Sequence, residues 1–158
     1  MAATLTIAKL TVGELRSNED LLREHSDECE AEHNRALDVQ WTTYEKLDAK
    51  GWLSIFGVWA TDDDGHTALR GYVAGVYMPA HLHHAGWSLV TVTALYVHPS
   101  IRRADVTADL MDSLRNESRR LGANSIVWHA KVKSAFDFYL CRKTDFELIE
   151  HIYEEKLR

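Results

Sequence analysis

Apolar and polar positions change period several times along the chain, and each change predicts an element. Thr4 to Ala8 alternates weakly and is β-branched enough for a short first strand, and Thr11-Val-Gly-Glu14 has the spacing of a capping box ahead of a helix. Two helices are expected next. Glu14 to about Cys29 carries Leu21 and Leu22 among acids, and Asn34 to Lys50 sets Leu37, Trp41, Tyr44 and Leu47 close to one helical face before Gly51 stops it. Trp52 to Ala60 reads as a buried strand, Asp62 to Gly65 as a turn, and Leu69 to Met78 as the antiparallel partner. Pro79 to Gly86 is a loop, and Ser88 to Val97 is a third strong strand that ends at His98-Pro99. From Ile101 to Leu121 the period is helical, with Val106, Leu110, Leu114 and Leu121 on one side and Arg115, Arg119 and Arg120 mostly on the other; Gly122 closes it. Ser125 to Ala130 predicts a strand, Ser134 to Arg142 a short helix, and Phe146 to Glu154 a last strand.

The predicted order is a strand, two helices, three strands, a helix, a strand, a helix and a strand. Adjacent strands beside a strand-helix-strand unit argue for an α/β (α+β) fold: a mixed, mostly antiparallel central sheet with helices on both faces. A length of 158 residues suits one domain over 1–158, and no repeat or linker-like stretch divides the chain.

Composition narrows the function classes. A net charge of −6 opposes non-specific binding to nucleic acid or to anionic lipid, so neither is expected as a partner. The charge is uneven: residues 14–50 hold eleven Asp/Glu against five Lys/Arg, whereas residues 100–143 hold five against nine, so the second stretch is the one suited to an anion. Cys29 and Cys141 are far apart and have no metal-ligand spacing, as in a reduced cytoplasmic chain, and Met1 to Leu10 lacks the pattern of an export signal. Only eight Gly and two Pro are present, and none of the Gly lies between Gly86 and Gly122. The five Trp are scattered with no interleaved basic residues, which suits core positions or pocket walls better than base stacking.

Leu95-Tyr-Val-His-Pro99, then Arg102, then a helix with Leu110-Met111, then Leu121-Gly-Ala-Asn-Ser-Ile126 resembles the acyl-CoA-binding core of the GNAT acyltransferase superfamily. Asp145-Phe-Glu147 and Tyr153-Glu-Glu-Lys-Leu157 are similar to the close of that family, most of all to small bacteriophage-encoded members. The resemblance covers about residues 52–157 and implies a GNAT-like acyltransferase fold, acetyl-CoA as cofactor and an amine-bearing small molecule or protein as partner. In a phage-encoded member the location would be the bacterial host cytoplasm; monomer and homodimer are both open.

In that family R/Q-x-x-G-x-G/A follows the central strand, and its backbone amides hold the pyrophosphate at a helix N-terminus, where unpaired N–H groups and the dipole favour an anion. Here the pattern falls on Arg102-Arg103-Ala104-Asp105-Val106-Thr107, with Asp105 and Thr107 at the glycine positions, a degenerate form. Two readings stand. Asp105 is an N-cap for a helix beginning at Val106, with CoA binding weakened or lost, or Arg102 and Arg103 supply a rearranged cradle. The resemblance further implies a carbonyl contact from the backbone of Tyr96 or Val97.

Acyl transfer needs near-attack geometry, a polarised carbonyl and a base for the amine proton. Many members use an acid on the central strand as base, but Ser88 to Val97 holds none. Histidine can substitute, since its pKa suits proton removal near neutrality. His81, His83 and His84 crowd the loop before that strand, where they are either surface residues or part of an acceptor site; no carboxylate or Cys accompanies them as in a metal site. His129 is either a packed strand residue or a second base. Phe138-Tyr139 looks like the family's pair that supplies an acid for the departing thiolate, although counting back from Asp145-Phe146 puts Cys141 at that place. Tyr139 is therefore the candidate acid, with an aromatic helix-to-sheet contact as the other reading. The expected function is acetyl-CoA-dependent N-acetyl transfer; the alternative is a catalytically inactive GNAT-fold protein that acts by protein contact.

Overall fold

The apolar runs after Gly51 and after Gly65 form the centre of a five-stranded sheet. In this computed structural model the described residues are 3–29, 36–80, 84–131, 133–143 and 145–148. The chain divides into two units, 1–128 and 129–158. The first contains the sheet, ordered β1 (Thr4–Lys9), β2 (Leu53–Thr61), β3 (Thr67–Met78), β4 (Leu89–Val97) and β5 (Ser125–Val127). β1 to β4 are antiparallel neighbours, and β4 pairs with β5 in parallel. The mixed, mostly antiparallel sheet read from the sequence is therefore present.

Helices cover both faces. On one, α1 (Val12–Arg16) and α2 (Glu19–Cys29) bring Val12, Leu15, Leu21 and Leu22 onto Leu53, Ile55, Leu69, Tyr72 and Tyr96, and α3 (Trp41–Ala49) adds the half-buried Trp41, Tyr44 and Leu47. On the other, Val106, Leu110 and Leu114 of α4 (Ala104–Arg120) pack on Val58, Val73, Val90, Val92 and Val97. Each fully buried Leu or Val contributes about 1.5–3 kcal/mol to this packing. Gly75 admits α4, because a Cβ there would lie 2.8 Å from Val90 and 3.1 Å from Leu114.

Two β-bulges set which residues face which layer. Trp59 pairs with Leu69 and Val58 with Gly71, leaving Arg70 extra; Gly75 pairs with Val92 and Ala74 with Ala94, leaving Thr93 extra. A bulge reverses the alternation of a strand. That is why Val90, Val92 and Val97 share one face although 92 and 97 differ in parity. The Thr93 hydroxyl donates to the Ala74 carbonyl at 3.3 Å, so the irregularity is satisfied locally.

The helix boundaries differ from those expected. The Thr11 capping box is present: the Thr11 hydroxyl accepts from the Glu14 amide at 3.1 Å and the Glu14 carboxylate accepts from the Thr11 amide at 2.7 Å. The helix expected from Glu14 to Cys29 is broken, however, into α1 and α2. Asn18 Nδ2 donates to the Glu14 carbonyl at 2.8 Å while the Asn18 amide turns to the Leu15 carbonyl at 3.0 Å, so a side chain takes the acceptor that a continuing helix would offer that amide. The second expected helix begins only at Trp41. Residues 36–40 are non-helical, and Leu37 and Val39 reach the core from there. The helix expected from Ile101 begins at Ala104, after a 3₁₀ turn over Pro99–Ile101 and two extended residues, Arg102 and Arg103. β5 stops at Val127, short of Ala130. Gly51 and Gly122 end their helices with φ of +68° and +78°.

The second unit contains α5 (Ala135–Cys141), capped by Ser134, whose hydroxyl accepts from the Asp137 amide at 3.1 Å. Residues 145–148 are not strand, and 149–154, the remainder of the expected last strand, lie outside the described residues. Among the described residues, no helix is long and apolar enough to cross a membrane.

Candidate active site

β4 and β5 are held together at one end only. Leu89, Val90 and Thr91 pair with Ser125, Ile126 and Val127, and among the described residues no strand continues beside β4 on that side toward Val97. The joined end is pinned by side chains. Asn124 Oδ1 accepts from the Ser88 amide at 2.8 Å and from its hydroxyl, and the Asn124 amide donates to the Ser88 carbonyl at 2.9 Å. Among the described residues, the far half of β4 has no strand paired to it on that side, and the chain then turns through Pro99 to Ile101 into α4.

Arg103 is the N-cap of α4, at extended φ and ψ, and makes no side-chain capping bond to the helix. This corrects the expectation that Asp105 caps a helix from Val106: Asp105 lies in the first turn, and its carboxylate accepts from Arg103 Nε and Nη2, each at 3.1 Å. Arg103 holds the Asp105 carboxyl below its usual range. Thr107 is inside the helix, with its hydroxyl donating to the Arg103 carbonyl at 3.3 Å. Ala104 is exposed and Val106 is buried under the helix.

Arg102 turns the other way, toward α2. Its Nη1 and Nη2 donate to the two oxygens of Glu28 at 2.6 and 2.8 Å, its Nε donates to the Val97 carbonyl at 2.8 Å, and its guanidinium carbon lies 5.7 Å from the centre of the Tyr96 ring. The Tyr96 hydroxyl donates to Glu28 at 3.1 Å. His25 stacks on Tyr96 with centroids 4.8 Å apart and shares a 2.8 Å hydrogen bond with the Tyr72 hydroxyl. His98 Nε2 lies 3.6 Å from a Glu24 oxygen, and its Nδ1 accepts from the Ser100 amide. The charges reinforce one another. The Arg102 guanidinium depresses the Glu28 carboxyl, Glu28 in return raises Arg102, and burial together with Glu28 pushes the Tyr96 phenol up to about 12. Tyr96 is thus a neutral donor at physiological pH.

Of the residues singled out in the sequence, Tyr96, Val97 and 102–107 come together at the end of β4 and the start of α4. His81 and His83 lie outside the described residues; His84 is exposed. His129 is exposed and follows the end of β5, so it is not a packed strand residue. Tyr139, in the second unit, is half-buried, stacks parallel to Phe136 at 6.3 Å and has the Lys143 ammonium 5.2 Å from its ring centre. Cys141 is exposed, with Asp137 3.8 Å from its sulfur. The sequence reading missed Glu24, His25, Glu28 and Tyr72. A signal was there: His25 and Ser26 continue the stripe of Leu21 and Leu22 at helical spacing, polar groups where apolar ones would extend a core face.

No family model and no curated protein matches the sequence. Solved structures do match. An acetyltransferase from Trypanosoma brucei superposes with a TM-score of 0.69 at 18% identity, covering 98% of this chain and 100% of that one. A ribosomal-protein-alanine N-acetyltransferase from Brucella melitensis biovar Abortus gives 0.66 at 17% identity, with 98% and 100% covered. An aminoglycoside N-acetyltransferase in complex with CoA gives 0.69 at 13% identity, with 100% and 97% covered. The sheet order, the helices on its two faces and these full-length superpositions establish that the chain has the fold of the GNAT acetyltransferases.

Proposed function

We propose that the protein is an acetyl-CoA-dependent N-acetyltransferase acting on an amine of a small molecule or protein. The observation that carries this reading is the parting of β4 from β5 after three residue pairs, on the strand that leads through a 3₁₀ turn into a 17-residue helix. An unaccompanied strand edge offers N–H and C=O groups to an extended, amide-bearing chain. The first amides of α4, those of Ala104, Asp105 and Val106, have no carbonyl one turn earlier in the helix to bond and suit a phosphate. Acetyl-CoA carries both features, an amide-bearing arm and phosphates, and the residues present fit it.

When bound, the cofactor supplies an acetyl thioester, whose transfer to an amine needs one proton removed and one thiolate protonated. The backbone at Tyr96 and Val97 would hold and polarise the thioester carbonyl. Ala104 to Thr107 would receive the phosphates through backbone amides, with Arg103 free to exchange Asp105 for a phosphate oxygen. His83 or His129 is the proposed base and Tyr139 the proposed acid. Asp20, Glu24 and Asp27 of α2, beside the arginine-paired Glu19 and Glu28, favour a cationic acceptor such as an aminoglycoside or a peptide N-terminus.

Titration with acetyl-CoA by calorimetry and thermal shift tests the reading. Binding stabilises the fold by about 2.7 kcal/mol at a hundredfold excess over Kd. Thiol release in the presence of aminoglycosides and peptides then identifies the acceptor class. No binding at millimolar acetyl-CoA rejects the proposal in favour of a second reading, a GNAT-fold protein that works by protein contact alone. One observation favours that second reading: both guanidiniums at the start of α4 already carry a carboxylate partner.

A further inference from the structure

We propose that Arg102 is a positioning residue and not a phosphate ligand: with Glu28 it forms a clamp that ties α2 to the end of β4 and so sets the backbone that would receive the acyl group. This deepens the acetyltransferase reading and rests on it.

The geometry of a single side chain makes the argument. A guanidinium has five N–H donors in a rigid fork, and bidentate pairing with a carboxylate uses the fork at its best geometry. Arg102 spends two donors on the two oxygens of Glu28 and a third on the carbonyl of Val97, the last residue of β4. The same carboxylate also accepts from the Tyr96 hydroxyl, so Glu28 is joined to β4 through Arg102 and through Tyr96. His25, three residues before Glu28, extends the contact by stacking on Tyr96 and bonding to Tyr72 of β3. Helix α2 is therefore fastened to β3 and β4 by a continuous polar set at the place where β4 has left β5. The first turn of α4 has a separate cation, Arg103, on its own carboxylate.

The two roles give opposite signs for one substitution. Were Arg102 a phosphate ligand held in reserve, Glu28→Gln would free its charge and tighten CoA binding, while Arg102→Ala would weaken it. In a clamp, both substitutions break the same joint. The test measures CoA affinity by calorimetry, kcat for thiol release from acetyl-CoA with the aminoglycoside sisomicin as acceptor, and backbone amide exchange in α2 and at His98. We expect CoA affinity to stay within about twofold in both variants, with kcat down about tenfold in each, as for a small misplacement of the reacting groups. Amide exchange should quicken equally in both, and the double variant should be no worse than either single one. Arg102→Lys, which keeps the charge and loses the fork, should behave like Arg102→Ala and covers the case in which the alanine variant does not fold.

A loss of more than about tenfold in CoA affinity for Arg102→Ala, with a gain for Glu28→Gln, overturns the clamp and returns Arg102 to the phosphates. Should the wild-type protein bind no CoA, the enzyme reading fails and exchange alone decides: equal quickening supports the clamp, and unchanged or unequal exchange removes it. A protein that binds CoA but is inactive on sisomicin is judged on affinity and exchange in the same way.

Discussion

Arg103 and Asp105 close on each other through two hydrogen bonds of 3.1 Å across the cap and first turn of α4. Both groups are exposed, so the pair adds little to stability. Its consequence is electrostatic. Asp105 is ionised at neutral pH with or without Arg103, which only lowers its carboxyl further, so a negative charge lies beside the amides proposed to receive phosphates.

Asp105→Asn should therefore tighten CoA binding, by about threefold at low ionic strength, with the gain shrinking in high salt as the Debye length falls to about 3 Å. Arg103→Ala should weaken it. Calorimetric titration at two salt concentrations reads both effects. An affinity indifferent to Asp105 at low salt would separate the first turn of α4 from the phosphates.

Gly71 controls the acyl end of the sheet by its lack of a side chain. A Cβ there would lie 2.9 Å from the Tyr96 carbonyl oxygen and 3.2 Å from the Val97 Cα, both backbone atoms that yield only if β3 and β4 separate. Gly75 faces side chains of Val90 and Leu114 instead. Alanine at either site should cost about 1–3 kcal/mol in urea unfolding. Only Gly71→Ala should also weaken acetyl-CoA relative to CoA, because only it moves the backbone at Tyr96 and Val97. Equal effects of the two variants on that ratio would argue against this end of β4 as the acyl site.

The fold was legible because its elements announce themselves by period. Leu53, Ile55 and Val58 mark a buried strand, Val106, Leu110 and Leu114 a helix face, and Gly51 and Gly122 two stops. What escaped were features decided by side chains at long sequence separation. Glu28 and Arg102 are 74 residues apart, and neither is unusual among its neighbours in an acidic helix and a basic turn. The Thr93 bulge did leave a trace, since the apolar parity of β4 changes between Val92 and Leu95. The break at Ser17-Asn18 was hidden because polar residues on an exposed turn are compatible with a continuous helix until their carbonyl partners are known.

Asn124 should prove the main fastener of the joined end of β4 and β5. Its side-chain oxygen serves both the Ser88 amide and hydroxyl, and Ser88 is buried. Asn124→Ala leaves that amide without its acceptor and should cost about 1–3 kcal/mol. Amide exchange at Leu89 to Thr91 should quicken more than exchange in β2. Uniform quickening across the sheet would mean that the site has no local role in holding the two strands.

Glu117, near the end of α4, ties the stability of the fold to pH. Arg120 donates to both its oxygens at 2.7 and 2.9 Å, Lys9 of β1 donates at 2.6 Å, and the carboxyl is brought down from 4.5 to about 2. A depressed carboxyl stabilises the fold above its unfolded value and loses that contribution as pH falls through its folded value. Stability should therefore decline from about pH 4.5 toward pH 2. The size is about 2–3 kcal/mol, after allowing for the solvent screening of the exposed Lys9 and Arg120. Glu117→Gln should be less stable than wild type by about that amount near neutrality, and the difference should shrink as pH falls and vanish only below about pH 2, where the folded carboxyl is protonated as well. Urea unfolding of the two proteins across this window measures it. A difference that stays constant with pH would assign the loss to packing between α4 and β1, and not to the charge.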